Sequence, residues 1–244
     1  MEKIQVLFED GDVMVLNKPA GLIVHSDGRT KESTLCDWLL EHYPGMKNVG
    51  EPLILKNGTT ISRPGIVHRL DRETSGAIIV AKNQQTFEAL KKQFQNREVE
   101  KIYHAFVWGE IKNDEGVIDR PIGKSRSDFR KWSAQRGAKG EMREAVTEYK
   151  VLARGKGLTL VEVSPKTGRT HQIRVHFKAI NHSVIADKLY APKQGAALRF
   201  ERTALHAVSV KFKDLRGKSI TVAAPYPDDF QTALSLFRKL APTA

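Results

Sequence analysis

The chain has 244 residues, with 40 Lys+Arg against 28 Asp+Glu and a formal net charge of +12. Apolar residues make up 40% and charged residues 28%, a balance that can bury a core and that excludes a disordered or collagen-like chain. Its longest uncharged apolar stretches, such as 77–81, fall far short of the roughly 20 residues that span a bilayer. The first twelve residues carry four acidic groups and no signal-peptide pattern, so the expectation is a cytoplasmic, membrane-free protein, read here as a monomer. A single cysteine, Cys36, cannot form an internal disulfide, and its neighbours Leu35, Trp38 and Leu39 point to a buried structural thiol.

In chain order, Val6 to Leu16 gives two short apolar runs around Asp10-Gly11, a hairpin signal, and Pro19 and Gly21 then break the chain. Behind a Ser33/Thr34 cap, Leu35, Trp38, Leu39 and Tyr43 fall near helical spacing until Pro44-Gly45. Residues 45–64, rich in Gly, Pro and Asn, read as a surface loop and a mobile flap. Ile66-Val67 and Ala77 to Ala81 read as buried strand pieces that carry the polar segment 68–76 between them, a good mount for chemistry. Phe87, Leu90, Lys91 and Phe94 mark a helix closing near Asn96, and 102–108, 146–153 and 158–163 read as strands. After a turn at 164–168, Thr170 is placed to cap a helix through Ile173 and Phe177 to Asn181. A hairpin of 204–212 with 219–223 and an amphipathic helix at 228–240 complete the pattern. The sum is an α+β fold with many strands, no repeat and no linker, which predicts one catalytic domain over residues 1–244.

The excess positive charge is concentrated. Residues 150–218 hold 15 basic and 4 acidic side chains, and between Arg120 and Arg143 eight basic residues face only Asp128 and Glu141. A polyanion is the natural partner, since Lys and Arg contacts to phosphates release condensed counterions; a merely solvated face would have the same composition. Within the second cluster, Phe129 and Trp132 with Arg126, Arg130, Lys131 and Arg136 form either a stacking and phosphate surface for RNA or, at Trp132, the anchor of a long hairpin.

The segment His68-Arg69-Leu70-Asp71-Arg72-Glu73-Thr74-Ser75-Gly76 sets a carboxylate between two guanidinium groups, a setting that favours its charged form. Such a carboxylate acts as a nucleophile or base if water is kept out; on spacing alone, a polar turn whose charges satisfy one another is the simpler reading. His171 and His176 are five apart, off a common helix face, so no metal site is expected there. Lys166 to Thr170 lacks the order of a nucleotide-triphosphate loop.

Taken whole, 68–76 resembles motif II of the RluA-type pseudouridine synthases, an HRLD sequence followed shortly by Thr-Ser-Gly. Further segments agree in order: Asn17-Lys18-Pro19-Ala20-Gly21 followed by His25, then Lys101-Ile102-Tyr103-His104-Ala105, then Thr167-Gly168-Arg169-Thr170-His171-Gln172-Ile173-Arg174-Val175-His176, and last Leu205-His206-Ala207. The resemblance spans roughly residues 6–225. It implies a pseudouridine synthase fold, with a central, bent, mostly antiparallel mixed sheet in two lobes, flanking helices and a catalytic cleft. It also implies isomerisation of uridine in rRNA or tRNA to pseudouridine without metal, nucleotide or redox cofactor.

In that reading Asp71 is the catalytic carboxylate, adding covalently to the substrate or taking a ribose proton. Tyr103 stacks on the target base and is placed to remove the C5 proton, and Arg174 pairs with the catalytic carboxylate. Arg69 enters the stack vacated by the extruded nucleotide, Arg72 contacts phosphate, and His68, Thr74, Arg169 and His171 contribute to RNA binding along with Lys131 and Arg136. Extrusion follows from the chemistry, because C1′, C5 and N1 must be reached together, and loop or bulge uridines are the cheapest to extrude. Many family members begin with an S4-type RNA-binding module; here the first hairpin starts almost at Met1, and no such module is expected. Two rivals remain: an RNA-binding protein that keeps the fold and supports ribosome assembly without turnover, and a metal-dependent nuclease, for which Asp71 and Glu73 among arginines make a poor two-metal site.

Overall fold

In the computed structural model, residues 3–26, 28, 32–55, 57–135 and 138–240 are described; Arg136 lies outside them. The chain separates into two units, Met1–Glu100 with Ala207–Pro225, and Lys101–His206 with Tyr226–Ala244. No helix among the described residues is long and apolar enough to cross a membrane.

The first unit is organised by two strands with unbroken apolar runs. Asp10 turns the chain by accepting the Asp12 and Val13 N–H groups on Oδ1, each at 2.8 Å, which pairs β1 (Gln5–Glu9) with β2 (Val13–Lys18). β2 then pairs antiparallel with β5 (Ser75–Ala81), from Val13 opposite Ala81 to Lys18 opposite Gly76. β5 is buried at every position, as expected of a central strand covered on both faces. The sheet continues to β13 (Leu205–Lys213), which pairs with β14 (Ser219–Ala223) as the expected hairpin. α1 (Leu35–His42) starts with a reciprocal capping box between Thr34 and Asp37, and α2 (Gln84–Gln95) starts at Asn83, whose side chain accepts the Thr86 N–H. Phe87 and Leu90 of α2 join Val15, Ile79, Val210 and Phe212 in one core cluster, each such side chain contributing about 1.5–3 kcal/mol. Cys36 is buried, and burial, helped by the charge of Asp37, pushes its thiol up to about 12, the inert behaviour expected.

Two local expectations differ. Residues 45–64 contain a 3-10 turn at Pro44–Met46 and a small hairpin of β3 (Leu53–Ile54) and β4 (Thr60–Ile61). Ile66-Val67 is no strand; Ile66 makes an isolated bridge to Val80, because Gly65 bends the chain at φ 65° tightly against β5.

The second unit carries the antiparallel order β6 (Glu100–Trp108), β12 (Leu158–Pro165), β11 (Val146–Gly155), β7 (Glu115–Asp119). The basic segment forms a separate three-stranded sheet of β8 (Ile122–Lys124), β9 (Trp132–Ser133) and β10 (Lys139–Arg143). α3 (Gln172–Ala179) packs against β9, β11 and β12. α4 (Asp228–Leu240) sets Phe230 and Phe237 on Phe106, ring centroids 5.4 and 5.3 Å apart.

α3 does not begin on a Thr170 cap. His171 precedes it in the left-handed region at φ 57°, with no side-chain cap. The backbone is instead held by Gln172, whose Oε1 accepts from Arg169 N and Thr167 Oγ1 while its Nε2 donates to Val146 O and Thr147 Oγ1. Two local and two tertiary bonds of Gln172 replace the expected cap.

Candidate active site

In the first unit, the loop that carries Asp71 is tied down by its backbone. The Thr74 N–H donates to the Asp71 carbonyl at 3.1 Å, closing a turn around Arg72 and Glu73, and the Gly21 N–H donates to the Arg72 carbonyl at 2.9 Å. Lys18, fully buried, donates its ammonium to the carbonyls of Pro19 and Leu22, both at 2.8 Å, and of Arg72 at 3.1 Å. The Asn-Lys-Pro segment and the HRLD segment are thereby joined one residue beyond Asp71, by carbonyl dipoles that replace the water a buried ammonium loses.

The loop's side chains divide by exposure. Leu70 and Thr74 are buried, Asp71 is half-buried, and Arg69 and Arg72 are exposed. Arg72 Nη1 pairs with Glu32 Oε2 at 2.6 Å. His68 accepts the Ile79 N–H on Nε2 at 2.8 Å and stacks on Phe94 with ring centroids 4.8 Å apart, so it anchors the loop to β5. The loop ends at Gly76, whose φ of 112° and close approach to β13 leave no room for a side chain: a Cβ would stand 2.2 Å from the Ala207 carbonyl oxygen.

In the second unit, Tyr103 lies buried on β6 opposite Val163. Lys101 shares its strand face; burial, with the charge of Lys166, lowers its ammonium to about 8. His104, on the opposite face of the strand, bonds through Nδ1 to the Tyr226 hydroxyl at 2.5 Å and faces Glu162 at 3.5 Å; burial lowers its pKa against the pull of that carboxylate.

Arg174 projects from α3, its side chain 9% exposed, and its guanidinium is gripped by Asp187: Nε to Oδ2 at 2.7 Å and Nη2 to Oδ1 at 2.8 Å. The Tyr190 ring lies 5.0 Å from the guanidinium carbon. The Tyr190 hydroxyl accepts the Trp132 N–H at 3.0 Å and bonds to His171 Nδ1 at 2.9 Å. Arg174, His171 and the start of β9 thus meet around one tyrosine. Arg169 turns away to the Glu144 carbonyl at 3.0 Å, and Lys131 stands 3.7 Å from Asp128. Trp132 is half-buried against the cluster of Ile122, Ala145, Val175 and Tyr190, with Lys124 Nζ 4.0 Å over its ring; it anchors the basic sheet, while Phe129 is 81% exposed.

Lys18, Asp187 and Tyr190 have no assigned role in the sequence reading. Asp187 nevertheless leaves a signal there: it is the lone carboxylate between Glu162 and Glu201, among seven basic residues, directly after the apolar run Val184-Ile185-Ala186. An acid so placed reads as a buried counter-ion.

Comparisons with known proteins identify the family. The family model described as RNA pseudouridylate synthase matches residues 12–179, a span that contains Asp71, Tyr103 and Arg174. The chain is 38% identical over 237 residues to the uncharacterized RNA pseudouridine synthase YlyB of Bacillus subtilis, covering 97% of this chain and 73% of that protein. It is 34% identical over 236 residues to the ribosomal large subunit pseudouridine synthase D of Zymomonas mobilis, covering 93% and 71%. Among solved structures, human RNA pseudouridylate synthase domain containing 1 superposes with a TM-score of 0.73 at 27% identity, covering 93% of this chain and 84% of that one. The fold is that of the pseudouridylate synthase domains, and the chain belongs to the RNA pseudouridylate synthase family, an enzyme of the RluA type.

Proposed function

We propose that the chain converts uridines of ribosomal RNA to pseudouridine, with Asp71 as the reactive carboxylate, its two units acting as one catalytic domain, monomeric and cytoplasmic. The observation that carries the reading is the family match itself, which takes in the whole HRLD loop and both of the other expected reactive residues. The choice of ribosomal RNA draws on relatives from Zymomonas mobilis, Borreliella burgdorferi and Nitrosomonas europaea that are named for the large ribosomal subunit.

In this reading the target nucleotide leaves its stack, Asp71 opens the N1–C1′ bond, the freed uracil turns, and C5 bonds to C1′. The C5 proton then leaves, which restores the aromatic ring, and Tyr103 is the group set against the base to receive it. Arg174 keeps the carboxylate charged and oriented. Arg69 fills the gap in the stack, and Arg72, His68, Thr74, Arg169, His171, Lys131 and Arg136 serve RNA binding. The exposed cations of β10 and of the turn before β9 supply a phosphate-binding surface without base specificity.

The test uses RNA tritiated at uracil C5, incubated in EDTA with wild type and with Asp71→Asn. Tritium release by wild type alone supports the synthase. Strand scission that EDTA suppresses would favour a nuclease, and RNA retained without release by either protein would favour a binding protein. A deuterium at the ribose C2′ separates the two routes open to Asp71: a primary isotope effect on release marks proton abstraction, and its absence marks covalent addition.

A further inference from the structure

A buried ion pair is a weak way to stabilise a fold, since well-packed apolar groups of equal volume commonly do as well or better. What a bidentate pair provides is orientation. Two parallel bonds fix the plane of the Arg174 guanidinium, where a single bond would let it pivot. The carboxylate that makes them is itself immobile: Asp187 is 1% exposed, and its Oδ1 also accepts the Leu189 and Tyr190 N–H groups, each at 3.0 Å. Burial pushes its carboxyl up, and the bonds and charge of Arg174 together with those two N–H groups outweigh this, so its pKa is lowered and it remains charged. Tyr190 closes the bracket from the face of the guanidinium, and its hydroxyl is fixed in turn by Trp132 and His171.

We propose that Asp187 is a positioning residue of the synthase, which acts by presenting the Arg174 guanidinium to the catalytic carboxylate in a single orientation. The inference rests on the reading of Arg174 as that carboxylate's partner. It assigns a task to the lone carboxylate between Glu162 and Glu201. It also explains the placement of Tyr190, which links Arg174 to the first residue of β9 in the basic sheet.

The test is the full-length protein turning over C5-tritiated RNA, with kcat and KM measured separately and folding followed by circular dichroism. Asp187→Asn keeps the volume and one acceptor. It is expected to lower kcat by roughly 10–100-fold, the size of effect that a small misplacement of a reacting group produces, with KM within about threefold of wild type. In an Arg174→Lys background, where no planar fork remains to be oriented, adding Asp187→Asn is expected to change kcat less than about threefold. A further loss of tenfold or more in that background would overturn the proposal, because Asp187 would then act independently of Arg174. If Asp187→Asn fails to fold, Asp187→Glu takes its place, keeping the charge while displacing the carboxylate by one methylene. A lowered kcat at unchanged KM supports the proposal, and a wild-type kcat overturns it. Should Arg174→Met turn over at the wild-type rate, the reading of Arg174 itself falls. Should Arg174→Met be inactive while a folded Asp187→Asn works normally, only the present inference falls.

Discussion

Lys18 in the first unit and Arg174 in the second are both buried cations, and they are held in different ways. The Lys18 ammonium donates to three backbone carbonyls, one of them that of Arg72 beside Asp71, while the Arg174 guanidinium is clamped by the carboxylate of Asp187 and flanked by an aromatic ring. The difference follows from shape. A compact ammonium with three donors gathers main chain and so fixes the path of a loop; a planar fork matched to a carboxylate fixes the angle of a side chain. The first unit holds the loop of Asp71 through backbone, and the second holds Arg174 through a side-chain pair.

Breaking the backbone arrangement is expected to have the largest effect. Gly76→Ala puts a Cβ 2.2 Å from the Ala207 carbonyl oxygen at a φ of 112°. It is expected to cost about 3–5 kcal/mol, read from urea unfolding, since strain and overpacking add. An unchanged midpoint would mean that the loop end tolerates movement. Next, Lys18→Met removes a charged donor from three carbonyls, of which that of Arg72 keeps the Gly21 N–H, and is expected to destabilise by about 2–4 kcal/mol. In the protein that still folds, turnover should drop further than RNA affinity, because one of the bonds lost holds the carbonyl of the residue after Asp71. Equal losses in both would assign Lys18 to the fold alone.

The sequence showed the family's motifs better than the contacts that support them. The HRLD loop, the hairpin at Asp10-Gly11 and the capped helices α1 and α2 were legible because each is specified by neighbours within a few residues. The supports depend on long-range contacts. The start of α3 is set by Gln172 reaching Val146 and Thr147, so the local promise of a Thr170 cap is overridden. The three short strands of the basic sheet carry no alternation to read, since all five residues of β10 are exposed. Asp187 lies thirteen residues from the arginine it holds, across the end of a helix, and only its isolation among cations hints at burial.

A smaller effect comes from His176, which is buried and bonded through Nε2 to the Arg120 carbonyl and through Nδ1 to Thr147 Oγ1, both at 2.9 Å. Burial, above all, lowers its pKa, so the folded state prefers the neutral ring. The stability this gives is present above about pH 6.5 and is lost as pH falls below that value through the folded pKa, at up to about 1.4 kcal/mol per pH unit. His176→Gln is expected to flatten the dependence of unfolding free energy on pH in the range just below about 6.5. His104, whose pKa is lowered too, retains its share. An identical slope in wild type and variant would mean that His176 does not titrate with folding. Smallest of all is Arg72→Ala. Its pair with Glu32 is 42% and 55% exposed, so stability is expected to change by less than about 1 kcal/mol. If Arg72 contacts phosphate, the salt dependence of RNA binding should lessen by about one ion, and an unchanged slope would remove Arg72 from the RNA surface.

Whether Asp71 makes pseudouridine is tested most directly by a position-by-position map of pseudouridine in ribosomal and transfer RNA. The map is taken from cells lacking this gene, and again after restoring wild type or Asp71→Asn at equal protein levels. At least one ribosomal RNA pseudouridine is expected to vanish with the gene and to return with wild type only. A map unchanged by loss of the gene, or the same site restored by Asp71→Asn, would contradict that role of Asp71.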